Sequence, residues 1–193
     1  MLMVDWKHEF KLAQRAASNI RPTLIYLPFS FIGFDIDKLN VDFVNLGESL
    51  ETCLKITEMS VMIRDLELIM KMLNDLHNSS LLIYTFMANP DIKIEEDRYT
   101  VTQKFDNTRE IGLNLFMQKN NDYGDVFVKF GVVGIIIRIR DKITRYKNLI
   151  YSNSYKVKSE SINDTVIDIY NYTTMAMMLI QIKNRNDAKS TEL

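Results

Sequence analysis

The stretch ESINDTVIDIYNYTTMAMMLIQIK, residues 160–183, predicts a long helix with different chemistry at its two ends. Glu160, Asp164 and Asp168 follow one another at a spacing of four residues, so in a helix they form one stripe of carboxylates. The methionine-rich part, residues 173–182, is typical of a core or of a surface that packs against a partner. The stretch therefore predicts a helix that packs against other helices.

Other segments with apolar residues at helical spacing predict a mainly α-helical bundle. Ser49 and Thr108 stand where N-caps are typical, and residues 119–124 (KNNDYG) read as the loop between two helices. The longest apolar face consists of Val132, Ile136, Ile139, Ile143 and Tyr146. The predicted helical segments are about 5–17, 49–77, 108–118 and 127–150. Segment 49–77 is either one long helix or two short ones.

Two segments have strand-like composition. Residues 92–101 (IKIEEDRYTV) alternate like a short exposed strand or hairpin, which predicts a small β element near residues 80–102. Residues 23–34 (TLIYLPFSFIGF) predict an extended arm or an edge strand. We expect one compact domain, in which residues 1–100 have an unknown role and residues 101–193 carry the motifs.

Composition favours an intracellular protein without disulfides. The chain has 193 residues, 47% of them hydrophobic, and its single cysteine, Cys53, cannot form an internal disulfide. The first ten residues lack the pattern of a signal peptide, and charges interrupt every apolar stretch before it is long enough to cross a membrane. We expect a cytoplasmic protein. Its bias toward Lys, Ile, Asn and Met suggests an AT-rich genome such as that of a phage, so that the location would be the host cytoplasm.

A basic block lies in the middle of the nearly neutral chain. Residues 104–158 hold 11 Lys and Arg against 5 Asp and Glu, whereas the segments on both sides are net acidic. Such a block attracts phosphates, or it neutralises an acidic neighbouring surface. The excess is small and no reading helix is visible, so direct binding to duplex DNA is not expected.

The carboxylate stripe is one candidate site. Three like charges at this spacing repel one another unless a cation lies among them, and Mg²⁺ prefers oxygen ligands. The alternative is a solvated acidic face, or acids paired with arginines of the preceding helix.

The segment RIRDKITRYKNL, residues 138–149, is a second candidate. Arg138, Lys142 and Arg145 are suited to hold phosphate oxygens, while Asp141 would join the carboxylates of the last helix around a cation. The alternative is a ladder of ion pairs within the helix, centred on Asp141. An acidic and a basic stripe on consecutive helices together predict a magnesium nucleotide site.

Three blocks in order, KNNDYG, RIRDKITRYKNL and ESINDTVIDIYNY, resemble a family of small phage and bacterial proteins called nucleotide modification associated domain 1. The resemblance covers about residues 108–180. That family is in turn similar to the all-α nucleotide pyrophosphatases of the MazG and dimeric dUTPase type, which assemble from several chains. Those enzymes use magnesium to cleave a nucleoside triphosphate into a monophosphate and pyrophosphate.

The resemblance implies roles for individual residues. Glu160 and Asp164 match the acidic catalytic pair, and the implied metal ligands are these two with Asp168 and Asp141. Asp141 is the acid that this sequence offers where the pyrophosphatases have a Glu-Glu-x-x-Glu cluster. In KNNDYG, Lys119 would reach a phosphate, Tyr123 would stack on a base or sugar, and Gly124 would close the turn with a positive φ angle; the alternative is a simple turn. The residues expected to contact the nucleotide are Lys119, Asp122, Tyr123, Arg138, Lys142 and Arg145.

Three functions follow. The first is a magnesium-dependent nucleoside triphosphate pyrophosphohydrolase, which would form a homo-oligomer. The second is a protein that binds or sequesters a nucleotide without hydrolysing it, which the few acids on the earlier helix favour. The third is a helical assembly protein, in which Met175, Met177 and Met178 and the aromatic arm of residues 26–34 make contacts between subunits and the charged stripes are simply surface. A homo-oligomer is compatible with all three functions.

Overall fold

The computed structural model describes residues 4–19, 36–52, 54–56, 61–63, 66–90, 98–152 and 161–191. Its described part is mainly α-helical, as predicted, and none of the helices in these ranges is long and apolar enough to cross a membrane. Strands β1 and β2 form a two-stranded antiparallel ladder in which Leu54 lies opposite Ile63. The elements, in chain order, are α1 (Trp6–Asn19), α2 (Ile36–Thr52), β1 (Leu54–Ile56), β2 (Val61–Ile63), α3 (Leu66–Ala88), α4 (Arg98–Tyr123), α5 (Val126–Ser152) and α6 (Ile162–Thr191).

Helix α6 is the centre of the bundle. It makes its most extensive contacts with α3 and α5 and also contacts α1 and α4. Ile169 and Met178 are fully buried in the main core, and Met177 is almost so. The methionine-rich part of α6 is therefore core at these positions, which was the first of the two predicted alternatives.

The predicted apolar face of α5 is confirmed from Ile136 onward, whereas Val132, its first predicted member, is only partly buried. Ile136, Ile139, Ile143 and Tyr146 are all buried, because residues three or four apart lie on the same side of a helix. Tyr146 also ties α5 to α2: its ring meets that of Phe43 edge to face at a centroid distance of 5.1 Å.

The predicted segment 49–77 is not one helix. Helix α2 ends at Thr52, the β1–β2 pair follows, and α3 begins at Leu66. Ser49 is not an N-cap, because it lies inside α2 and donates a hydrogen bond from Oγ to the carbonyl oxygen of Asn45 (2.7 Å). Likewise Thr108 lies inside α4, where its hydroxyl shares a 2.8 Å hydrogen bond with the hydroxyl of Thr85 on α3.

The small β element lies earlier in the chain than predicted. Within residues 80–102, the described residues are helical up to Ala88 and again from Arg98, with a turn at Pro90 between them. Residues 92–97 of the predicted strand, the segment 23–34 and Cys53 lie outside the described residues. Propensity did not single out β1 and β2, because the two strands depend on pairing with each other as well as on their own composition.

A layer of polar side chains crosses the core between α1, α3 and α6. His77 is fully buried, and its Nδ1 atom lies 3.1 Å from the hydroxyl of Thr174. Burial, together with the neighbouring Arg109 guanidinium, lowers the pKa of His77 to about 3. Gln14 donates a 2.9 Å hydrogen bond from Nε2 to the hydroxyl of Tyr170, and burial raises the pKa of that phenol. These groups are therefore neutral at physiological pH.

Candidate functional site

A groove of about 710 Å³ opens where the end of α4, the start of α5 and the middle of α6 meet. Its charged lining consists of three cations, Lys119, Arg138 and Lys142, and one carboxylate, Asp168. Most of the remaining wall is aromatic or aliphatic, so the groove combines net positive charge with flat apolar surface. The apolar wall includes Phe116, Phe127, Phe130, Ile135, Tyr172 and Met175.

Asp168 joins two of the cations. The Lys119 ammonium lies 2.5 Å from Oδ1 of Asp168, and the Lys142 ammonium lies 2.8 Å from Oδ2. The carboxylate is nearly buried, with 9% of its side chain exposed, whereas the side chain of Lys119 is 44% exposed. One carboxylate from α6 therefore fixes a lysine from α4 and a lysine from α5 in the same groove.

Three glycines shape the entrance. Gly124 has a φ angle of +64°, as predicted, and it ends α4 by donating its N–H to the carbonyl oxygen of Asn120 (2.8 Å). Gly131 has a φ angle of +60° and interrupts α5 one residue after Phe130, whose side chain is 70% exposed. A Cβ atom at Gly134 would lie 2.4 Å from Cβ of Phe130. Small residues thus let the aromatic ring of Phe130 lie at the edge of the groove.

The predicted loop KNNDYG is instead the last turn of α4, since the helix continues to Tyr123. This turn brings Lys119 and Tyr123 to the groove, and Tyr123 lies at its mouth with 73% of its surface exposed. The exposed Asp122 does not line the groove. Arg145 is not part of the lining either: its Nε donates a 3.2 Å hydrogen bond to the hydroxyl of Thr165 on α6.

Residues 119–181 match the sequence model of a family described as nucleotide modification associated domain 1. This segment is similar to that family. The match covers about a third of the chain and begins at Lys119, later than the predicted start near residue 108. Searches among curated proteins and among solved structures found no match.

The matched segment, residues 119–181, contains nearly the whole groove. Every lining residue except Phe116 lies within it. It also contains all six residues that were predicted to contact a nucleotide, four of which line the groove. The family match and the groove therefore single out the same part of the molecule.

Among the described residues, the predicted carboxylates Asp141, Asp164 and Asp168 do not come together around a common point. Asp164 belongs to a capping box at the start of α6: its Oδ2 atom accepts hydrogen bonds from the N–H (2.7 Å) and the hydroxyl (2.9 Å) of Ser161, and its own N–H donates to the Ser161 hydroxyl (3.1 Å). Asp141 is exposed on α5. Glu160 lies outside the described residues.

This arrangement bears on the implied magnesium ion. Both oxygens of Asp168 already contact lysine ammonium groups. To bind magnesium, Asp168 would have to give up at least one of these contacts. Among the described residues, no group of three His, Cys, Asp or Glu side chains is placed to hold a metal ion. The described residues therefore do not fit a magnesium site built by the protein alone.

Sequence reasoning missed the aromatic wall. Phe127, Phe130 and Tyr172 were not singled out, because an aromatic residue on a predicted helix is more often part of the core. The local signal for Phe130 was its place directly before Gly131 and four residues before Gly134. Glycines at such spacing within an otherwise helical segment indicate a kink or a close approach.

A double-mutant cycle tests the ion pair of the groove. Asp168→Asn should lower the free energy of unfolding by about 1–2 kcal/mol, less than for a fully buried pair because the lysines reach water. The double variant Asp168→Asn/Lys142→Gln should lose about 1 kcal/mol less free energy of unfolding than the sum of the losses of the two single variants. Urea unfolding measures all three. The exposed pair of Lys147 and Glu48, 2.7 Å apart, is the control and should show no measurable coupling. Strict additivity at Asp168 and Lys142 would contradict the interpretation.

Proposed function

We propose that the groove binds a nucleotide, with its phosphates against the cations and its base against the aromatic wall. The match of residues 119–181 to a family described as nucleotide modification associated is consistent with this class of ligand. The groove volume of about 710 Å³ also lies within the range usual for small-molecule sites.

The observation that carries the proposal is the pair of lysines held by Asp168 at the base of the groove. A lysine that is already fixed in position loses less conformational freedom when an anion binds. Lys119, Lys142 and Arg138 exceed the single negative charge of Asp168, so an anion entering the groove is attracted. Arg138 is exposed and has no ion-pair partner among the described residues, which leaves its guanidinium open to a phosphate.

The aromatic wall supports the second half of the proposal. Phe130 and Tyr123 present most of their surface to solvent at the mouth, although large aromatic side chains are usually buried. Stacking of a nucleobase on such a ring contributes about 1–3 kcal/mol per base and tolerates any base. An inorganic anion would use the cations but would gain nothing from these rings.

Binding without hydrolysis ranks ahead of magnesium-dependent pyrophosphohydrolysis. Two of the implied metal ligands are already engaged, Asp168 by two lysines and Asp164 by Ser161. No step of hydrolysis can be built on these contacts. Pyrophosphohydrolysis, the activity that the resemblance implies for this protein, is therefore the second candidate. The experiment below measures it directly.

The test is calorimetric titration with ribo- and deoxyribonucleoside mono-, di- and triphosphates, with and without magnesium, followed by chromatography of the recovered ligand. We expect saturable binding, intact ligand afterwards, and weaker binding at high salt because the cations are partly exposed. Release of monophosphate and pyrophosphate would instead establish the hydrolase.

Arg138→Gln tests the role of the cations. Loss of one charged hydrogen-bond donor to phosphate should weaken nucleotide binding roughly tenfold or more. Lys129→Gln is the matched control, since Lys129 is an exposed cation on α5 that does not line the groove, and it should bind like the unmodified protein. Absence of nucleotide binding in the unmodified protein, or equal affinity in Arg138→Gln, would overturn the proposal.

A further inference from the structure

The positive charge of the groove is gathered at one place. The carboxylate of Asp168 lies 2.5 Å from the Lys119 ammonium and 2.8 Å from the Lys142 ammonium. Arg138 lies four residues before Lys142, so the two share one face of α5. The three cations therefore form a single cluster beside Asp168, and they are not spread in a row along the groove.

This cluster has an excess of two positive charges. Among the described residues that line the groove, Asp168 is the one carboxylate, and it offsets one of the three cations. A phosphate monoester carries a charge of about −1.5 to −2 at pH 7, which balances the excess. A phosphate diester carries a single negative charge and leaves one cation unmatched.

The cluster is accessible to a phosphate from the solvent side. The side chain of Lys119 is 44% exposed and that of Lys142 is 20% exposed, whereas that of Asp168 is 9% exposed. An ammonium group has three donors, and Lys119 uses one of them toward Oδ1 of Asp168. A phosphate can therefore contact the lysines while the carboxylate stays on their buried side.

We propose that the groove selects a nucleoside monophosphate and that Asp168 sets this selection, an inference that rests on the proposed nucleotide binding. The single phosphate binds the cluster. Each further phosphate adds negative charge, but the described lining has no further cation to receive it.

A second or third phosphate has three places to lie, and none of them favours binding. Beside Asp168 it is repelled by a like charge. Against the apolar wall it loses water without a replacement partner. Outside the groove its charge is screened by salt and adds little. A triphosphate therefore gains no affinity from its two additional phosphates.

The test varies the phosphate alone. The full chain is titrated by calorimetry with the 5′-monophosphate, the 3′,5′-cyclic monophosphate and the triphosphate of each common nucleoside, in the ribose and the deoxyribose series. We expect the 5′-monophosphate to bind at least about tenfold more tightly than the cyclic form, which has less charge. The triphosphate should bind no more tightly than the monophosphate, both in a metal chelator and in magnesium.

Asp168→Asn tests the role of the carboxylate. The amide keeps the size of the side chain and removes its charge, so the ratio of triphosphate affinity to monophosphate affinity should rise about tenfold. Asp187→Asn, the same change at an exposed position near the end of α6, should leave this ratio as it is. Val126→Lys adds a cation at an exposed lining position, should raise the ratio in the same direction, and serves if Asp168→Asn does not fold.

The outcomes separate this inference from the proposed function. If the unmodified protein binds none of these nucleotides, both fail. If it binds the triphosphate more tightly than the monophosphate, or the cyclic form as tightly, nucleotide binding stands and the selection of a monophosphate is overturned. If the affinity ratio stays the same in folded Asp168→Asn, or in Val126→Lys where the first does not fold, the role of Asp168 is overturned.

Discussion

Lowering the pH from 8 to 5 should remove about 2 kcal/mol of the free energy of unfolding through His77 alone. The pKa of this fully buried imidazole is about 3 in the folded protein, whereas an unfolded chain protonates it near 6.5. Between these values the unfolded state binds the proton and the folded state does not. The contribution is therefore fully present above pH 6.5 and is lost as the pH falls toward 3.

The comparison of variants isolates this effect from the other titrating groups. In His77→Gln the stability should depend on pH less steeply by about 1.4 kcal/mol per pH unit below 6.5, measured by urea unfolding at several pH values. His8→Gln is the control, since His8 is exposed on α1 and should leave the slope as it is. Equal slopes for His77→Gln and the unmodified protein would mean that His77 is charged, or accessible to water, in the folded state.

Replacing Ile169 by alanine should lower the free energy of unfolding by about 2–5 kcal/mol. Ile169 is fully buried on α6, the helix that contacts α1, α3, α4 and α5. The substitution removes three carbons and leaves a cavity in the main core, which the neighbouring side chains only partly fill. Urea unfolding followed by circular dichroism measures the loss.

Ile111→Ala is the matched control for this core substitution. Ile111 is on α4 with 45% of its surface exposed, so its truncation should change the stability by no more than about 0.5 kcal/mol. A loss at Ile169 as small as that at Ile111 would show that α6 is not held by the packing described.

The helices that could be predicted are those whose signal is local. The apolar face from Ile136 to Tyr146 follows from spacing alone, and all of its members are buried. The break between α2 and α3 could not be seen in the same way, because Leu54, Ile56 and Ile63 continue a helix-like spacing of apolar residues. Their strand conformation depends on the pairing of Leu54 with Ile63, which no pattern within either segment records.

The groove shows the same division. Arg138 and Lys142 were identified as basic residues at helical spacing, and Lys119 and Tyr123 through the resemblance of the KNNDYG block; all four line the groove. The role of Asp168 as the partner of Lys119 and Lys142 was not, because residues 49 positions apart meet only after α4 and α6 have packed. In sequence Asp168 belongs to a stripe with Asp164. In the folded protein the two carboxylates have different partners: Asp168 contacts two lysines, and Asp164 contacts Ser161.

The central position of α6 has a consequence for synthesis of the chain. Helix α1 is held by α6 through Gln14 and Tyr170, which are 156 residues apart, and through an ion pair of Glu9 with Arg185. A ribosome adding 5–20 residues per second needs on the order of ten seconds or more to cover that separation. For that time Phe10 and Ala13, both fully buried at the end, have no α6 to cover them. The nascent chain thus carries the apolar face of α1 without its α6 partner through most of its translation.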